Sequence, residues 1–389
     1  MTMPDNNQPY ILYAMTASLF SAKVRAYLRF NKVNFIERGA GSQEFRQEIV
    51  PKVGRWIIPV LKTPTGELLQ DGTDILDYLD KNAANNGSIF PEDPSLKAIA
   101  HLFELFGSEG LLRPAMHYRW NFDKQNLAFL KVSFRDCLPP AENQAAADAS
   151  FEFASGRMRK ATEFFGASAN NLSDVEASYL EFLALLQSHL NTHAFILGGR
   201  PTIADYSLFG PLYAHLGRDP YPLALMQQHA PAVFQWLERM NSPHTIDNHL
   251  YEASKGELFA SNALPQSLIE LMHYIKAEYL AEITAHVAHG NNWLNQHPDI
   301  PSGSTGVSEK MSQASLGMAE FEWRGKTIGS TVMIYRFYLL QRLTQHFEQQ
   351  QSATSQQITE QFAATGLDSL LTLKTQRKVI RQNYKEVWE

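Results

Sequence analysis

The sequence predicts an α/β domain joined to an all-α domain, with a mostly helical extension behind them. Apolar segments of strand length alternate with segments of helical spacing near the N-terminus, a proline opens the third predicted strand, and helical spacing dominates after a polar linker at 82–88. From these observations we place an α/β domain at 8–84, an all-helical domain at 92–243 and an extension with one short β-hairpin at 245–389.

Composition excludes several classes of protein. The 389 residues carry 34 Lys+Arg against 40 Asp+Glu, a net charge of −6, which is too little positive charge for a nucleic-acid partner. The one cysteine, Cys137, excludes an internal disulfide framework and a Cys-x-x-Cys motif. With no secretory signal pattern and no apolar run of about 20 residues, we expect a cytoplasmic protein without a membrane partner.

The first domain reads as β-α-β-α-β-β-α. Ser18 stands where the first helix needs an N-cap, because apolar residues recur at helical spacing after it. The turn at 63–66 joins the third and fourth strands as a hairpin. The predicted strands are Tyr10–Met15, Val33–Ile36, Trp56–Leu61 and Glu67–Gln70, and the predicted helices are Phe20–Leu28, Ser42–Val50 and Asp71–Leu79.

Pro59 is the informative residue of the third strand. Proline lacks the backbone N–H that a central strand uses, so it belongs at a strand's first residue or in a special turn. A cis Ile58–Pro59 bond is our expectation. Such a bend turns the backbone N–H and C=O of Ile58 outward, where they can pair with a peptide ligand.

The rest of the chain reads as mostly helical. The predicted helices of the second domain are Leu96–Phe122, Asn126–Cys137, Phe151–Phe165, Asp174–Leu190, Ile203–Leu216 and Ala232–Met240. In the extension, the pattern predicts helices at Leu264–Trp293, Thr331–Gln349 and Leu367–Trp388, a polar loop at Pro298–Ser315, and a hairpin over Phe321–Ile328 that turns at Arg324–Gly325. The basic residues of the final helix are expected on a solvated face.

Four stretches occur in an order and spacing that resemble the soluble glutathione transferase family. They are Ser18–Arg25 after the first strand, Ile57–Leu61, Leu68–Leu79 and the helix-capping sequence Gly198–Tyr206. The resemblance covers about residues 8–240 and implies a thioredoxin-like N-terminal domain followed by an all-helical domain. It also implies glutathione as cosubstrate and a homodimer.

In that resemblance, Ser18 aligns with the active-site serine or cysteine of the family. A free thiol titrates near ~8.5, so a glutathione thiolate needs a helix N-terminus or hydrogen-bond donors to form at neutral pH. Ser18 can supply both, although it can also act only as a helix cap. Tyr13 is the rival donor, with core packing as its alternative role. A serine at this position forbids the mixed disulfide that a cysteine would allow, and Cys137 reads as a buried small residue.

The same resemblance implies a binding site for glutathione. Ile58, next to Pro59, would pair with the cysteinyl portion, and Gln70 and Asp71 would face the γ-glutamyl group. One departure concerns Gly72, which stands where the family has Ser or Thr and is followed by Thr73; the backbone N–H remains, so we expect weakened binding. Arg55, Lys52 and Arg46 are candidates for the glycyl carboxylate, with a solvated surface charge as the alternative for each.

The second substrate would be a small apolar electrophile. Tyr118, Arg119 and Trp120 are candidates to line its pocket, with core packing as the alternative. Glu282, His286 and His289 share one helical face with Glu278, but helical spacing on one segment is weak evidence for a metal. We expect a solvated polar face there and no metal.

Two functions remain open at this point. The first is a glutathione-dependent transferase that conjugates or cleaves an apolar electrophile, in keeping with detoxification. The alternative is a non-catalytic binding or interaction protein that retains the fold, as Gly72 and the long extension would allow. Calorimetry with glutathione discriminates between them.

Overall fold

The computed structural model describes residues 8–82, 88–242, 249–307 and 315–389. Its strands are β1 Tyr10–Ala14, β2 Phe35–Gly39, β3 Val60–Lys62, β4 Leu68–Gln70, β5 Ser315–Trp323, β6 Lys326–Met333, β7 Val379–Gln382 and β8 Lys385–Trp388. Its helices are α1 Leu19–Phe30, α2 Val50–Val53, α3 Gly72–Asn82, α4 Pro94–Leu105, α5 Leu112–Trp120, α6 Asp123–Ser133, α7 Gln144–Lys160, α8 Leu172–Leu190, α9 Ile203–Ala214, α10 Pro220–His229, α11 Pro231–Asn241, α12 His249–Ser254, α13 Gln266–Ile275, α14 Ala281–Gln296, α15 Ile334–Glu348 and α16 Ser352–Ala364.

The chain divides into two compact units whose segments alternate along the sequence. The first unit takes the stretches 1–88, 118–161 and 209–247, and the second takes 89–117, 162–208 and 248–389. The predicted α/β domain lies inside the first unit, whereas the predicted helical domain at 92–243 contributes to both. The three domain boundaries drawn from the sequence stay predictions.

The N-terminal part of the first unit has the predicted β-α-β-α-β-β-α order. Its four strands form one sheet in the order β2-β1-β3-β4, with β1 parallel to β2 and both other pairs antiparallel. The apolar strand residues Leu12, Val60 and Leu61 are fully buried in this sheet. Gly66, at a φ of +88°, makes the turn between β3 and β4, a backbone conformation that favours glycine. The Ile58–Pro59 bond is cis, as expected.

Most of the predicted helices are present, with two corrections in the number of elements. The segments Pro94–Leu105 and Leu112–Trp120 follow one another through a π-helical turn, Phe106–Gly110, and together match the predicted helix at 96–122. The predicted helix at 264–293 corresponds in the same way to α13 and α14. Helices α10, α12 and α16 were not predicted from the sequence.

The described residues of the extension form two β-hairpins, so the prediction of a final helix was wrong. The predicted turn at Arg324–Gly325 is confirmed, and β5 and β6 extend well beyond it on both sides. Because β6 continues to Met333, the next helix begins at Ile334 and not at 331. The predicted helix at 367–388 is instead the hairpin β7–β8. Its turn residues Asn383 and Tyr384 have φ values of 50° and 60°, which a helix does not allow.

The helix face that carries Glu282 and His286 is buried and not solvated, which corrects another expectation. Glu282 accepts hydrogen bonds from Arg113, from Arg336 at 2.6 Å and from the Ser330 hydroxyl at 2.7 Å. All of these side chains are at most 4% exposed. A further bond of 2.9 Å joins Arg336 to Glu109. We call Arg113, Glu109, Glu282, His286 and Arg336 the buried charge network of the second unit.

Within this network, hydrogen bonding fixes the state of His286. Ser330 gives its one proton to Glu282, so the Nε2–H of His286 donates to the Ser330 oxygen at 2.9 Å, and Nδ1 accepts from Arg336 at 3.0 Å. His286 is therefore neutral. Burial, reinforced by Arg336, lowers its pKa to about 3. Burial alone would raise the pKa of Glu282, but Arg113 and Arg336 outweigh it and hold that pKa at about 2.

Candidate functional site

The turn between β1 and α1 presents the Ser18 hydroxyl at a helix N-terminus. Ser18 has extended backbone angles, and its Oγ accepts a hydrogen bond of 3.3 Å from the Ser21 N–H. This confirms the predicted N-cap. The side chain is half-buried, and no described residue accepts its hydroxyl proton. Ser18 can thus cap the helix with its oxygen and still donate its proton to a ligand.

Two buried arginines hold the backbone of this turn. Arg25 donates to the Met15 carbonyl at 3.0 Å, and Arg119 donates to the Ala17 carbonyl at 2.7 Å. Each is oriented by a carboxylate, Glu37 for Arg25 and Asp219 for Arg119, through two hydrogen bonds of 2.6 to 2.9 Å. Bidentate pairs of this kind fix geometry as well as charge. The position of Ser18 is therefore set by groups from α1 and α5.

The strand register brings three chain segments, one of which contains Ser18, to the same end of the sheet. Tyr13 on β1 pairs with Val60 on β3, and Val60 pairs with Gln70 on β4. The residues that follow β1, precede β3 and follow β4 therefore share one end of the sheet. Those residues are the Ser18 turn, Ile58 and Asp71.

The backbone of Ile58 is available for pairing. Ile58 lies before the first residue of β3, and within the described part of the chain its N–H and C=O have no hydrogen-bond partner. The side chain is half-buried, and the neighbouring Trp56 is 46% exposed. An accessible, unpaired backbone segment of this kind is suited to bind a peptide in extended conformation.

The start of α3 supplies a second backbone donor close to α1. Asp71 has a φ of +88°, an uncommon conformation for a non-glycine residue, and its carboxylate accepts the Thr73 N–H at 2.8 Å. The Gly72 N–H has no acceptor among the described residues. A Cβ added to Gly72 would lie 3.5 Å from the Phe20 carbonyl oxygen, in the first turn of α1. The two helix N-termini therefore lie side by side.

Several predicted binding residues are present around these donors. Arg55 makes a long contact of 3.5 Å from its guanidinium to the Gln70 side chain, which is 4% exposed. Lys23, buried in α1, donates to the Thr73 hydroxyl at 3.2 Å. Arg46 donates to the Gly41 carbonyl at 3.2 Å, and Lys52 is exposed.

These groups fit a glutathione molecule. A tripeptide needs an extended backbone partner, donors for its carboxylates and, near its sulfur, a proton donor at a helix N-terminus. Three groups at one end of the sheet have this chemistry: the unpaired Ile58 backbone, the Gly72 N–H and the Ser18 hydroxyl.

Tyr13 does not have the geometry of the rival donor. Its side chain is fully buried, its ring centroid lies 5.6 Å from that of Phe45, and its hydroxyl donates to Glu44 at 2.5 Å. Burial raises the pKa of Tyr13, so the phenol keeps its proton. The position favours the packing role.

The three residues expected to line a substrate pocket are also buried. Tyr118, Arg119 and Trp120 are 1%, 3% and 4% exposed. Tyr118 stacks on Phe122, Trp120 packs edge-on against Phe134, and Arg119 is committed to Asp219 and the Ala17 carbonyl. Their positions argue against direct substrate contact, because side chains packed this closely leave no space for a ligand.

Sequence reasoning missed the segment that closes over the end of β2. A Cβ at Gly39 would lie 2.3 Å from the Asp136 carbonyl oxygen, and one at Gly41 would lie 2.0 Å from that of Leu138. Only glycine allows these approaches, so the Gly-Ala-Gly sequence at 39–41 was the available signal. Asp136 also accepts a weak hydrogen bond of 3.4 Å from Thr16, two residues before Ser18.

Two negative findings concern the described residues only. They contain no group of three or more His, Cys, Asp or Glu side chains arranged to hold a metal ion. They also contain no helix with the length and apolar character needed to cross a bilayer. Cys137 is half-buried, whereas the sequence predicted a buried residue. Its thiol donates to the Phe134 carbonyl at 3.3 Å, and burial raises the pKa of the thiol to about 12, which disfavours the thiolate.

Comparisons with known proteins agree with this fold. The N-terminal domain model of glutathione S-transferases matches residues 12–87, and the C-terminal domain model matches residues 141–239. Together with the β-α-β-α-β-β-α unit and its helix-terminal hydroxyl, these matches define a thioredoxin-like domain followed by a helical domain. The chain belongs to the glutathione transferase family, for which glutathione is the cosubstrate.

The solved structures that are similar to the chain show low sequence identity to it. A glutathione transferase from Phanerochaete chrysosporium is 17% identical, with a TM-score of 0.43, over 62% of this chain and 99% of its own. The beta-etherase LigF from Sphingobium is 17% identical, with a TM-score of 0.44, over 63% and 98%. A Ceriporiopsis subvermispora glutathione S-transferase, solved in complex with glutathione, is 16% identical, with a TM-score of 0.42, over 62% and 100%. No curated protein matches the chain.

Proposed function

We propose that the chain is a glutathione-dependent transferase in which Ser18 stabilises the glutathione thiolate and a small apolar electrophile is the second substrate. The single observation that carries this proposal is the Ser18 hydroxyl, held at the N-terminus of α1 with no described acceptor for its proton. Family membership supports glutathione-dependent transfer in general.

Each part of the tripeptide has a counterpart in this proposal. The Ile58 backbone pairs with the cysteinyl residue. The γ-glutamyl group binds to the Gly72 N–H and to the side chains of Asp71 and Gln70. Arg55 is the candidate for the glycyl carboxylate. The Ser18 hydroxyl then donates to sulfur, where the α1 N-terminus adds favourable electrostatics. Both effects stabilise the charged form of the thiol and lower its pKa.

The reaction follows from this stabilisation. The thiol proton leaves to solvent, the sulfur forms a bond to an electrophilic carbon, and the leaving group departs with its bonding electron pair. Ser18 holds the sulfur before attack, while Arg25 and Arg119 hold the turn that carries Ser18. The two arginines are positioning residues, because neither contacts the sulfur in this arrangement.

Two variants of Ser18 distinguish its role as a helix cap from its role as a hydrogen-bond donor to the sulfur. Ser18→Ala removes both, whereas Ser18→Asp retains a capping acceptor and removes the donor. We expect the purified wild type to bind glutathione in isothermal calorimetry and to conjugate chlorodinitrobenzene. Both variants should lose turnover, and only the alanine variant should lose about 1 kcal/mol of stability from the missing cap. Wild-type turnover retained in either variant would remove Ser18 from the mechanism.

Two observations favour a second candidate function. Gly72 lacks the side-chain hydroxyl that the family resemblance leads us to expect, and Asp71 already occupies the Thr73 N–H. A protein that retained the fold without binding glutathione fits these two facts. Calorimetry of the wild-type protein decides, since absence of any glutathione heat supports this candidate and contradicts the first.

We also propose a homodimer, on the basis of the family alone. Light scattering coupled to size exclusion should give twice the chain mass of 44.0 kDa. A monomer mass would contradict this part of the proposal and leave the Ser18 chemistry untouched.

A further inference from the structure

The first unit contains a cavity of about 320 Å³ at the opposite end of α1 from Ser18. Helices α6, α9, α10 and α11 and the segment after α9 contribute to its wall. Asn241, in this wall, accepts a hydrogen bond of 2.5 Å from Arg29, near the C-terminal end of α1. Ser18 caps the other end, and the rise of about 1.5 Å per residue separates the two places by roughly 16 Å.

The cavity wall is mostly apolar and partly aromatic. The rings of Phe129, Tyr213 and Phe234 and the side chain of Leu223 line it. Its volume lies near the lower end of the range of roughly 300 to 1,000 Å³ that small-molecule sites occupy. Such walls accept a flat apolar molecule of one or two rings.

One cation in the wall, Arg218, forms no ion pair among the described residues. The Arg218 guanidinium lies 5.6 Å from the Phe129 ring centroid and 5.7 Å from that of Tyr213. Its Nε is buried and has no hydrogen-bond partner, and no carboxylate pairs with Arg218 within the described part of the chain. The carboxylate of Asp219, the next residue, pairs directly with Arg119 and interacts with Arg218 without forming an ion pair with it. Glu238 in the cavity wall forms no ion pair with Arg218 either.

A buried, unpaired guanidinium N–H is costly, so most such groups have a partner. A carboxylate on a bound ligand would supply the guanidinium of Arg218 with an ion-pair partner, because its two oxygens match the guanidinium fork. We propose that this cavity binds a small aromatic carboxylate, with its ring among Phe129, Tyr213 and Phe234 and its carboxylate on Arg218. This site is separate from the proposed glutathione site.

Calorimetry with a matched pair of probes tests this proposal. The acid probe is naphthalene-2-carboxylate, and its neutral analogue is naphthalen-2-ylmethanol. We expect the wild-type protein to bind the acid at least tenfold more tightly than the alcohol. Arg218→Gln should abolish that preference, and Leu223→Trp, which fills the cavity, should weaken both probes. Arg157→Gln, on the exposed surface of α7, is the matched control and should behave as wild type.

Glutathione serves as the check on location. Saturating glutathione should leave the affinity for the acid unchanged, and Arg218→Gln should bind glutathione as the wild type does. Equal affinity for the acid in wild type and Arg218→Gln would overturn the proposal. Competition between the acid and glutathione would also overturn the proposal, because it would place the acid at the proposed glutathione site.

Discussion

Both units contain buried arginines, but the arginines of the two units donate to different kinds of acceptor. In the first unit, Arg25 and Arg119 each bond a carboxylate and then a backbone carbonyl of the turn before Ser18. In the second unit, the members of the buried charge network bond mainly one another. Because the members of the buried charge network bond to one another, they hold helices together. Arg25 and Arg119 instead bond to backbone carbonyls of the turn, which leaves the Ser18 hydroxyl available to donate to a ligand. The difference predicts stability effects in the second unit and activity effects in the first.

Breaking the closed network should have the largest effect. Arg336→Met leaves Glu282 and Glu109 buried with fewer partners, and removal of one member of a buried ion pair typically costs about 3–5 kcal/mol. The loss in free energy of unfolding is measured by urea denaturation followed by tryptophan fluorescence. Lys374→Met removes an exposed pair with Glu348 and should cost less than about 1 kcal/mol. Equal losses in the two variants would mean that the network does not stabilise the unit.

Loosening the turn should affect chemistry more than stability. Arg119→Lys retains the charge beside Asp219 but cannot also hold the Ala17 carbonyl in the same geometry. We expect kcat with chlorodinitrobenzene to fall by up to about 10²-fold, because small misplacements of reacting groups cost that much. The pKa of bound glutathione should rise in parallel.

Arg159→Lys is the control for that change, since Arg159 lies over the Trp120 ring, 5.0 Å from its centroid, in the same unit. It should leave kcat and the bound thiol's pKa at wild-type values. A drop in both variants alike would indicate general loosening of the helices.

Acid should weaken the second unit through His286. Its folded pKa of about 3 lies below the ordinary 6.5, so the unfolded chain binds a proton that the folded chain refuses. Stability is then complete above about pH 6.5 and falls as the pH drops toward 3. Between about pH 7 and 5 the loss from this residue is about 2 kcal/mol. Glu282, also with a lowered pKa, adds a loss in the same direction below about pH 4.5.

His286→Gln isolates this contribution from those of His101 and His189, whose pKa values burial also lowers. The variant should show a shallower loss of urea stability between neutral and mildly acid pH than the wild type shows. Identical slopes would contradict the assignment.

The smallest expected effect is a gain. A Cβ at Gly72 meets no atom closer than 3.5 Å, and its φ lies outside the left-handed region, so Gly72→Ser should fold normally. The added hydroxyl can bond the γ-glutamyl carboxylate, which should tighten glutathione binding by about tenfold in calorimetry. Unchanged affinity would place that carboxylate elsewhere, and Gly72→Ala serves as the hydroxyl-free control.

Local patterns predicted the first domain well because each of its elements depends on neighbours in sequence. Ser18 was found as a cap from the helix spacing after it, and Pro59 from the missing backbone donor. The final hairpin was not found, because its turn uses Asn383 and Tyr384 without a glycine and its strands are only four residues each. Such a segment shows too few residues to distinguish strand alternation from helical spacing.

The sequence did not predict the contacts of the site that join residues far apart in the chain. Arg119 was expected at a substrate pocket, and only the fold shows that it holds a carbonyl 102 positions earlier in the chain. The burial of Glu282 and His286 likewise depends on Arg113 and Arg336, which lie on other helices. Spacing along one helix identifies residues that share a face, but it does not show what covers that face.

The central claim is that Ser18 stabilises a bound sulfur anion, and the ultraviolet absorbance of the glutathione thiolate reports it directly. Titrating the complex with alkali should give the wild-type protein a bound thiol pKa clearly below the free value of about 8.5. In Ser18→Ala the pKa should return toward that value while glutathione still binds. The same pKa in both proteins would contradict the account.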